Sequence, residues 1–141
     1  MSAELKAKIK RLWEEAFNQG KVDGLDEILA PDYVRHQPPF PDYVGREALK
    51  DFVSDCRTSY PDVHLTVDKV IIEGDWTASL WIYEGTQSGV SPTTGAPPTN
   101  KYVKFRGCNM VHWEGGKGVE DWNHGDYLGL LQQLGIVTKS W

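Results

Sequence analysis

The sequence predicts an α+β fold in which helices come first and a meander of β-strands then curls around them. Apolar residues recur at helical spacing in the first 60 residues, whereas apolar and polar residues alternate between residues 64 and 124. Helical spacing returns at residues 127–134 and ends at Gly135. Helices followed by a run of strands are typical of the α+β class. The 141 residues contain no repeat and no linker, which predicts one domain spanning 1–141.

Three helices are predicted before the strands. The first has apolar residues at positions i, i+3, i+4 and i+7 and ends at Gly20. These apolar residues are Leu5, Ile9, Leu12, Trp13, Ala16 and Phe17. A short second helix is closed by Pro31, and residues 32–36 are extended. The third helix opens at Gly45 and ends before Pro61, because proline cannot continue a helix.

Strands fill the second half of the chain. Alternation of β-forming residues predicts them at residues 64–72, 76–85, 101–113 and 119–124. Residues 114–117 join the last two strands, because adjacent glycines tolerate the positive φ that a tight hairpin turn requires. Residues 88–100 form a long connection rich in proline and glycine, and long connections of this kind are often lids.

The hairpin predicts a cluster of polar side chains on one face of the sheet. If the turn is symmetric about its glycines, Asn109 faces Asn123, and the same register sets Val111 opposite Asp121. Because side chains alternate along a strand, both asparagines and Asp121 share a face. An unpaired buried polar group costs about 1–3 kcal/mol. A ligand cavity is one reason for three of them to lie together.

Two residues are candidates for acid/base chemistry. Asp121 in an aromatic-walled pocket would have its pKa raised by desolvation, which tunes a general base toward neutral pH. The alternative is that the strand ends early and Asp121 is solvated. His36 ends an extended segment before a proline-rich loop, so it lies either at a cavity mouth or on a solvent-facing loop. His112 and His124 alternate with tryptophans, and a surface or interface position explains them better than a metal pair.

Composition and charge exclude several classes of partner. The net charge is −5 and no cluster of lysine or arginine is present, so nucleic acids and anionic membranes are poor partners. The two cysteines, Cys56 and Cys108, lack the spacing of a metal or disulfide framework and predict free thiols. The N-terminal residues carry charges where a signal peptide needs an apolar run, so a cytoplasmic location is expected. The 6 Trp and 6 Tyr fill either a core or the walls of a pocket.

Several motifs, in order along the chain, resemble one family. They are Asp32-Tyr33-Val34-Arg35-His36 with Pro38, Gly45-Arg46-Glu47, Tyr60-Pro61-Asp62, Gly85-Thr86-Gln87-Ser88-Gly89, Gly95-Ala96-Pro97-Pro98-Thr99, Glu120-Asp121-Trp122 and residues 126–135. Together they resemble the SnoaL-like polyketide cyclase (ester cyclase) family. The resemblance implies a nuclear transport factor 2-like cone, in which a curved mixed β-sheet wraps around three N-terminal helices and encloses one hydrophobic pocket. It also implies a homodimer through the convex face of the sheet.

The resemblance also implies a cofactor-free aldol cyclisation, with one departure at the site. Cyclases of this family use an aspartate in the last strand and a histidine on the neighbouring strand. Those positions correspond to Asn123 and Asn109 here, and an amide cannot accept a proton at useful pH. The asparagines could instead hydrogen-bond a carbonyl or enolate oxygen, with Asp121 as a displaced base. The broader family carries a histidine at the position of His36, which keeps that residue a candidate.

Two functions from different classes remain open at this point. The first is a cofactor-free and metal-free enzyme on a small apolar carbonyl compound, by cyclisation or by a related isomerisation or hydrolysis. The second is a binding protein that holds an apolar ligand without chemistry. In both, the expected pocket walls are Trp13, Phe17, Trp81 and Tyr83. The opposite strand faces carry Ala78, Leu80, Ile82, Met110 and Trp122, an apolar surface that predicts the homodimer.

Overall fold

The structure, a computed structural model, describes residues 2–92 and 95–138; residues 1, 93–94 and 139–141 of the predicted domain and loop lie outside it. The α+β class is confirmed. Its helices are α1 (Ser2–Gln19), a 3-10 helix (Val22–Glu27), α2 (Arg46–Ser59) and α3 (Tyr127–Gln133). Its strands are β1 (Leu29–His36), β2 (Tyr43–Val44), β3 (His64–Glu73), β4 (Trp76–Thr86), β5 (Tyr102–Glu114) and β6 (Lys117–Gly125).

The six strands form one curved mixed sheet in the order β2-β1-β6-β5-β4-β3. Strands β1 and β6 are parallel, and the other neighbouring strands are antiparallel. The register shifts within the β1–β6, β3–β4 and β5–β6 pairs. Such irregularities bend a strand and increase its twist, which helps the sheet to curve. The sheet thereby acquires one concave face, against which the helices pack.

Helices α1 and α2 supply the apolar layer that covers the concave face. The buried core includes Leu12, Ala16 and Phe17 from α1 and Leu49 and Val53 from α2. These positions follow the helical spacing read from the sequence, and the hydrophobic stripe is what places each helix on the sheet. A buried aliphatic or aromatic side chain contributes about 1.5–3 kcal/mol, so this layer is a main source of stability.

The second predicted helix is only partly right. Residues 22–27 form a 3-10 helix, but Leu29 already begins β1, and Pro31 lies within that strand rather than closing a helix. A proline is tolerated there because the β1–β6 register shifts between Leu29 and Val34, where its missing N–H is not needed. The short strand β2 was not predicted, since two residues carry no period.

Two glycines create space for one tryptophan on the concave side. A Cβ atom at Gly107 would lie 2.1 Å from the Trp81 ring, and one at Gly125 would lie 2.8 Å from it. Gly107 is the β5 partner of Trp81 and also pairs with Gly125 on β6. Because neither glycine has a side chain, the indole lies flat across both strands and reaches the row of polar residues beyond them.

The convex face of the sheet is partly apolar and carries a row of stacked rings. Leu80 is 50% exposed and Met110 is 52% exposed. The row, with centroid separations of 5.5, 5.7 and 4.8 Å in order, is His36, Trp122, Trp76 and His112. Within the described residues, no helix is both long enough and apolar enough to cross a membrane.

Candidate functional site

A cavity of about 580 Å³ lies between the helices and the concave face of the sheet. All four wall residues predicted from the sequence line it, namely Trp13, Phe17, Trp81 and Tyr83. Further aromatic rings complete the wall, contributed by Tyr43, Phe52, Tyr60, Phe105 and Tyr127. A cavity of this size is in the range of small-molecule sites, which are typically 300–1,000 Å³.

The predicted register of the hairpin is confirmed. Asn109 pairs with Asn123, and Val111 pairs with Asp121. Asp121 is fully buried, Asn123 is 4% exposed and Asn109 is 9% exposed. The three polar side chains therefore share the concave face, as the alternation along the strands required.

Asp121 is placed differently from the prediction in one respect. It does not line the cavity; it lies behind the lining residues and is neither in an apolar pocket nor in solvent. Its Oδ2 accepts hydrogen bonds from Arg35 Nη2 at 3.0 Å, Arg35 Nε at 3.2 Å and the Tyr33 hydroxyl at 2.5 Å. Asn109 Nδ2 donates to both carboxylate oxygens, at 3.2 and 3.3 Å. Asp121 is therefore the counter-ion of a buried arginine.

Arg35 is a candidate site residue that was not predicted from the sequence. It lines the cavity, is 6% exposed, and lies over the Trp13 ring with its Cζ 4.9 Å from the centroid. Burial lowers the pKa of Arg35, but its interactions with the Tyr33 hydroxyl and the Asp121 carboxylate outweigh that effect and raise the pKa, so the guanidinium stays charged. The same burial raises the pKa of Tyr33 well above its usual range and keeps it neutral.

The signal for Arg35 was present but incomplete. Alternation along β1 sets Tyr33 and Arg35 on the buried face, with Gln37 following just after the strand. An arginine on a buried strand face needs an anionic partner. That partner is Asp121, 86 residues away on a strand whose parallel pairing with β1 no local pattern specified.

The amide nitrogens of the two asparagines donate to groups of the protein itself. The amide of Asn109 is directed at Asp121. Asn123 Oδ1 accepts from Trp81 Nε1 at 2.9 Å, and Asn123 Nδ2 donates to Gln37 Oε1 at 2.8 Å. Both asparagines line the cavity, but their N–H donors point along its polar floor.

The prediction of His36 at the cavity mouth is wrong. His36 follows Arg35 in β1, so alternation turns it to the convex face, where it stacks on Trp122. Its Nε2 lies 2.6 Å from Glu120 Oε2 and its Nδ1 lies 3.1 Å from Asp42 Oδ2. Hydrogen bonds to Glu120 and then Asp42 raise the pKa of His36 above 6.5.

The carboxylates and the thiol that line the cavity all lie on α2. Asp55 is half-buried, and the Ser59 and Ser91 hydroxyls donate to its Oδ1, each at 3.1 Å. Burial raises the pKa of the Cys56 thiol to about 12, so it is a neutral wall residue and not a nucleophile. Among the described residues, no three His, Cys, Asp or Glu side chains lie together as a metal site would require.

Comparison with known proteins identifies the family. The family model of the SnoaL-like polyketide cyclases matches residues 7–134. The nogalonic acid methyl ester cyclase of Streptomyces nogalater is 27% identical over 123 residues, covering 85% of this chain and 90% of that protein. The chain belongs to the SnoaL-like polyketide cyclase family. The family expected from the motifs is thus confirmed, and it suggests a cyclase or isomerase type of function.

Solved structures support the same assignment of the fold. TsrD of Streptomyces laurentii has a TM-score of 0.79 and 27% identity, covering 93% of this chain and 97% of that one. IdmH of Streptomyces antibioticus has a TM-score of 0.73 and 31% identity, covering 92% of this chain and 96% of that one. The predicted curved sheet with helices packed on it is therefore shared with proteins of this family.

We expect Asp121→Asn to destabilise the protein strongly. The change removes the counter-ion of a guanidinium that stays buried, and breaking such a pair costs about 3–5 kcal/mol. The control is Glu15→Gln, which removes the more exposed ion pair with Arg11 on α1 and should cost about 0.5 kcal/mol or less. Urea unfolding of both variants measures the difference. A loss below about 1 kcal/mol for Asp121→Asn would contradict the role of this pair.

We expect His36 to stabilise the fold in acid more than in alkali. Because its folded-state pKa is raised, its contribution is fully present below about pH 6.5, where the unfolded chain is protonated too. The contribution is lost as the pH rises through the raised pKa. The free energy of unfolding of wild type minus that of His36→Gln should therefore be larger at about pH 6 than at about pH 9. An equal difference at both values would refute the charged contact with Glu120 and Asp42.

Proposed function

We propose that this protein is a cofactor-independent enzyme that forms the enolate of an apolar carbonyl compound and uses it to close a ring or shift a double bond. The observation that carries the proposal is Arg35, a charged guanidinium held in the floor of a cavity walled by aromatic rings. The name of the S. nogalater relative, a methyl ester cyclase, is consistent with carbonyl chemistry of this kind.

Arg35 is suited to stabilise negative charge on an oxygen atom. Its Nε and one N–H of each terminal nitrogen bind Tyr33, Asp121 and Gln37. A guanidinium has five N–H donors, so one on each terminal nitrogen has no partner among the described residues. A fixed donor in a site from which water is excluded stabilises a developing oxyanion far better than water does. Asp121 acts through Arg35 by holding its charge and orientation.

Asp55 replaces Asp121 as our candidate for the general base. Asp121 was the sequence-based candidate, but its oxygens are engaged by Arg35, Tyr33 and Asn109, and it does not line the cavity. Asp55 does line the cavity. The charges of Arg35 and Asp55 shift the pKa of the Cys56 thiol in opposite directions, so both groups lie within electrostatic range of the same wall residue.

The proposed step needs no oxidant or cofactor. The Asp55 carboxylate takes a proton from the carbon next to the substrate carbonyl, and the C–H electron pair moves onto the oxygen beside Arg35. In a cyclisation, the enolate carbon then bonds to a second carbonyl carbon of the same molecule. The new alkoxide recovers the proton from Asp55. In an isomerisation, the proton returns to a different carbon.

Binding without chemistry is the second candidate. It is favoured by the amides at the two positions where cyclases of this family carry acid/base groups, Asn109 and Asn123. It is also favoured by the occupation of Asp121 in an ion pair. A protein that held an apolar ligand in this cavity without exchanging its protons would fit this candidate and exclude the first.

We expect the protein to catalyse deuterium uptake next to the carbonyl of apolar aryl ketones and keto esters in D2O. Arg35→Lys keeps the charge but loses the planar donors, and loss of an oxyanion donor lowers the rate about 10²–10³-fold. The control is Arg57→Lys, because Arg57 binds the Phe17 carbonyl and does not line the cavity. NMR or mass spectrometry measures the uptake. Equal rates in wild type and Arg35→Lys would overturn the role of Arg35.

We also propose a homodimer through the convex face, because Leu80 and Met110 expose apolar surface there. Sedimentation at micromolar concentration should give about twice the 15.9 kDa of one chain. Leu80→Glu should shift the protein toward the monomer. The matched control, Leu128→Glu, changes a leucine of similar exposure, 48%, on α3 and should leave the dimer intact. A single species of one-chain mass in the wild type would refute this proposal.

A further inference from the structure

One buried amide on the floor of the cavity has a donor without a partner. Gln37 lines the cavity and is 1% exposed. Its Oε1 accepts two hydrogen bonds, whereas its Nε2 has none within residues 2–92 and 95–138. Leaving a buried polar group without a partner is unfavourable, so native structures satisfy nearly all of them. This N–H pair accordingly points to a missing acceptor.

The orientation of the Gln37 amide is fixed by a chain of hydrogen bonds that can run in only one direction. An indole N–H is a donor only, so Trp81 Nε1, 2.9 Å from Asn123, must face the oxygen of that amide. The nitrogen of Asn123 is then turned to Gln37, at 2.8 Å, and must face the oxygen of Gln37.

A second donor enforces the same orientation from the other side. Arg35 Nη1, also a donor only, lies 3.3 Å from Gln37 Oε1. With its oxygen held by Arg35 and Asn123, the Gln37 amide has only Nε2 left to offer a ligand. The two donor-only groups at the ends of this chain thus decide which atom of Gln37 is left without a partner in the described part of the protein.

We propose that Gln37 is the residue that recognises a carbonyl oxygen of the ligand, through Nε2, and that Asn123 is a positioning residue that acts through Gln37. The ligand class is an apolar molecule with an acceptor oxygen, held beside the positive charge of Arg35. This inference rests on the proposed carbonyl-binding cavity, but it requires no turnover. It assigns Asn123 a role other than direct contact with the substrate, because its donors are already engaged.

The test compares two probes of nearly the same shape. One is an acetylnaphthalene, which has a carbonyl acceptor, and the other is the isopropenylnaphthalene of the same substitution, in which a methylene group replaces that oxygen. Affinities come from quenching of tryptophan fluorescence or from calorimetry. The readout is the ratio of the two affinities in each variant, because that ratio cancels effects on cavity shape and on folding.

In Gln37→Met, the affinity for the ketone relative to the alkene should fall roughly 3- to 10-fold, the worth of one neutral hydrogen bond. Asn123→Asp should lower the ratio similarly, because Asn123 acts through Gln37. Its acceptor-only carboxylate faces Gln37 Oε1 and competes with Arg35 for the orientation of that amide, so Nε2 is no longer held in one position. This variant is nearly isosteric, so it tests the inference even where Gln37→Met fails to fold.

Gln87→Met is the matched control. Gln87 is another buried glutamine that lines the cavity, but its Oε1 accepts from the Thr99 backbone N–H in the loop. Its ratio should stay within about twofold of the wild type, below the effect of one hydrogen bond. An unchanged ratio in Gln37→Met, or an equal fall in Gln87→Met, would overturn the inference.

Failure of the inference can be told apart from failure of the proposed function. A fall in the ratio without any deuterium uptake by the wild type would support Gln37 as the carbonyl donor and remove the enzyme. Deuterium uptake with an unchanged ratio in both Gln37→Met and Asn123→Asp would do the reverse. If the wild type binds neither probe, both proposals are overturned.

Discussion

The buried ion pair between Arg35 and Asp121 is the interaction on which the rest of the site depends. The pair joins β1 to β6, and Asn109 extends the same contact to β5. Taking two charges out of water costs several kcal/mol per ion, and the cost is met only when further hydrogen bonds satisfy both groups. Tyr33, Asn109 and Gln37 supply those bonds. The ion pair is therefore stable only when these hydrogen-bond partners are correctly positioned.

The need to satisfy these buried groups also explains why the polar side chains on the floor of the cavity have fixed orientations. Donor-only side chains, Trp81 and Arg35, stand at the two ends, and amides that can turn either way lie between them. Each hydrogen bond fixes the next, so the amides have one consistent arrangement. Asn109 and Asn123 are both part of this frame. In the function that we propose, the ligand is bound by Arg35 and Gln37 instead.

The two faces of the sheet have different environments: the concave face lines the cavity, and the convex face is part of the protein surface. Arg35 faces the cavity, whereas the next residue, His36, joins a row of stacked rings on the convex side. Adjacent residues of a strand point in opposite directions, so the environment of His36 is unrelated to that of Arg35, its neighbour in the sequence. Glu120 and Asp121 repeat this division on β6: Glu120 binds His36 outside, and Asp121 binds Arg35 inside.

The sequence by itself determined the elements whose signals are local. Helices α1 and α2 followed from the spacing of their apolar residues, and the pairing of Asn109 with Asn123 followed from a glycine turn that fixes register over a few residues. The aromatic walls, Trp13, Phe17, Trp81 and Tyr83, were also found this way. Each of these depends on neighbours along the chain or across one tight turn.

Only the tertiary structure decided what Asp121 and His36 do. The parallel pairing of β1 with β6 brings Arg35 beside Asp121 across 86 residues, and parallel strands have no short turn to set their register. The start of β1 at Leu29, rather than a helix closed by Pro31, was likewise fixed by that pairing. Periodicity in the sequence could assign Asp121 to the inner face. It could not reveal that Asp121 pairs with Arg35, because the partner of a buried charge is determined by packing in three dimensions.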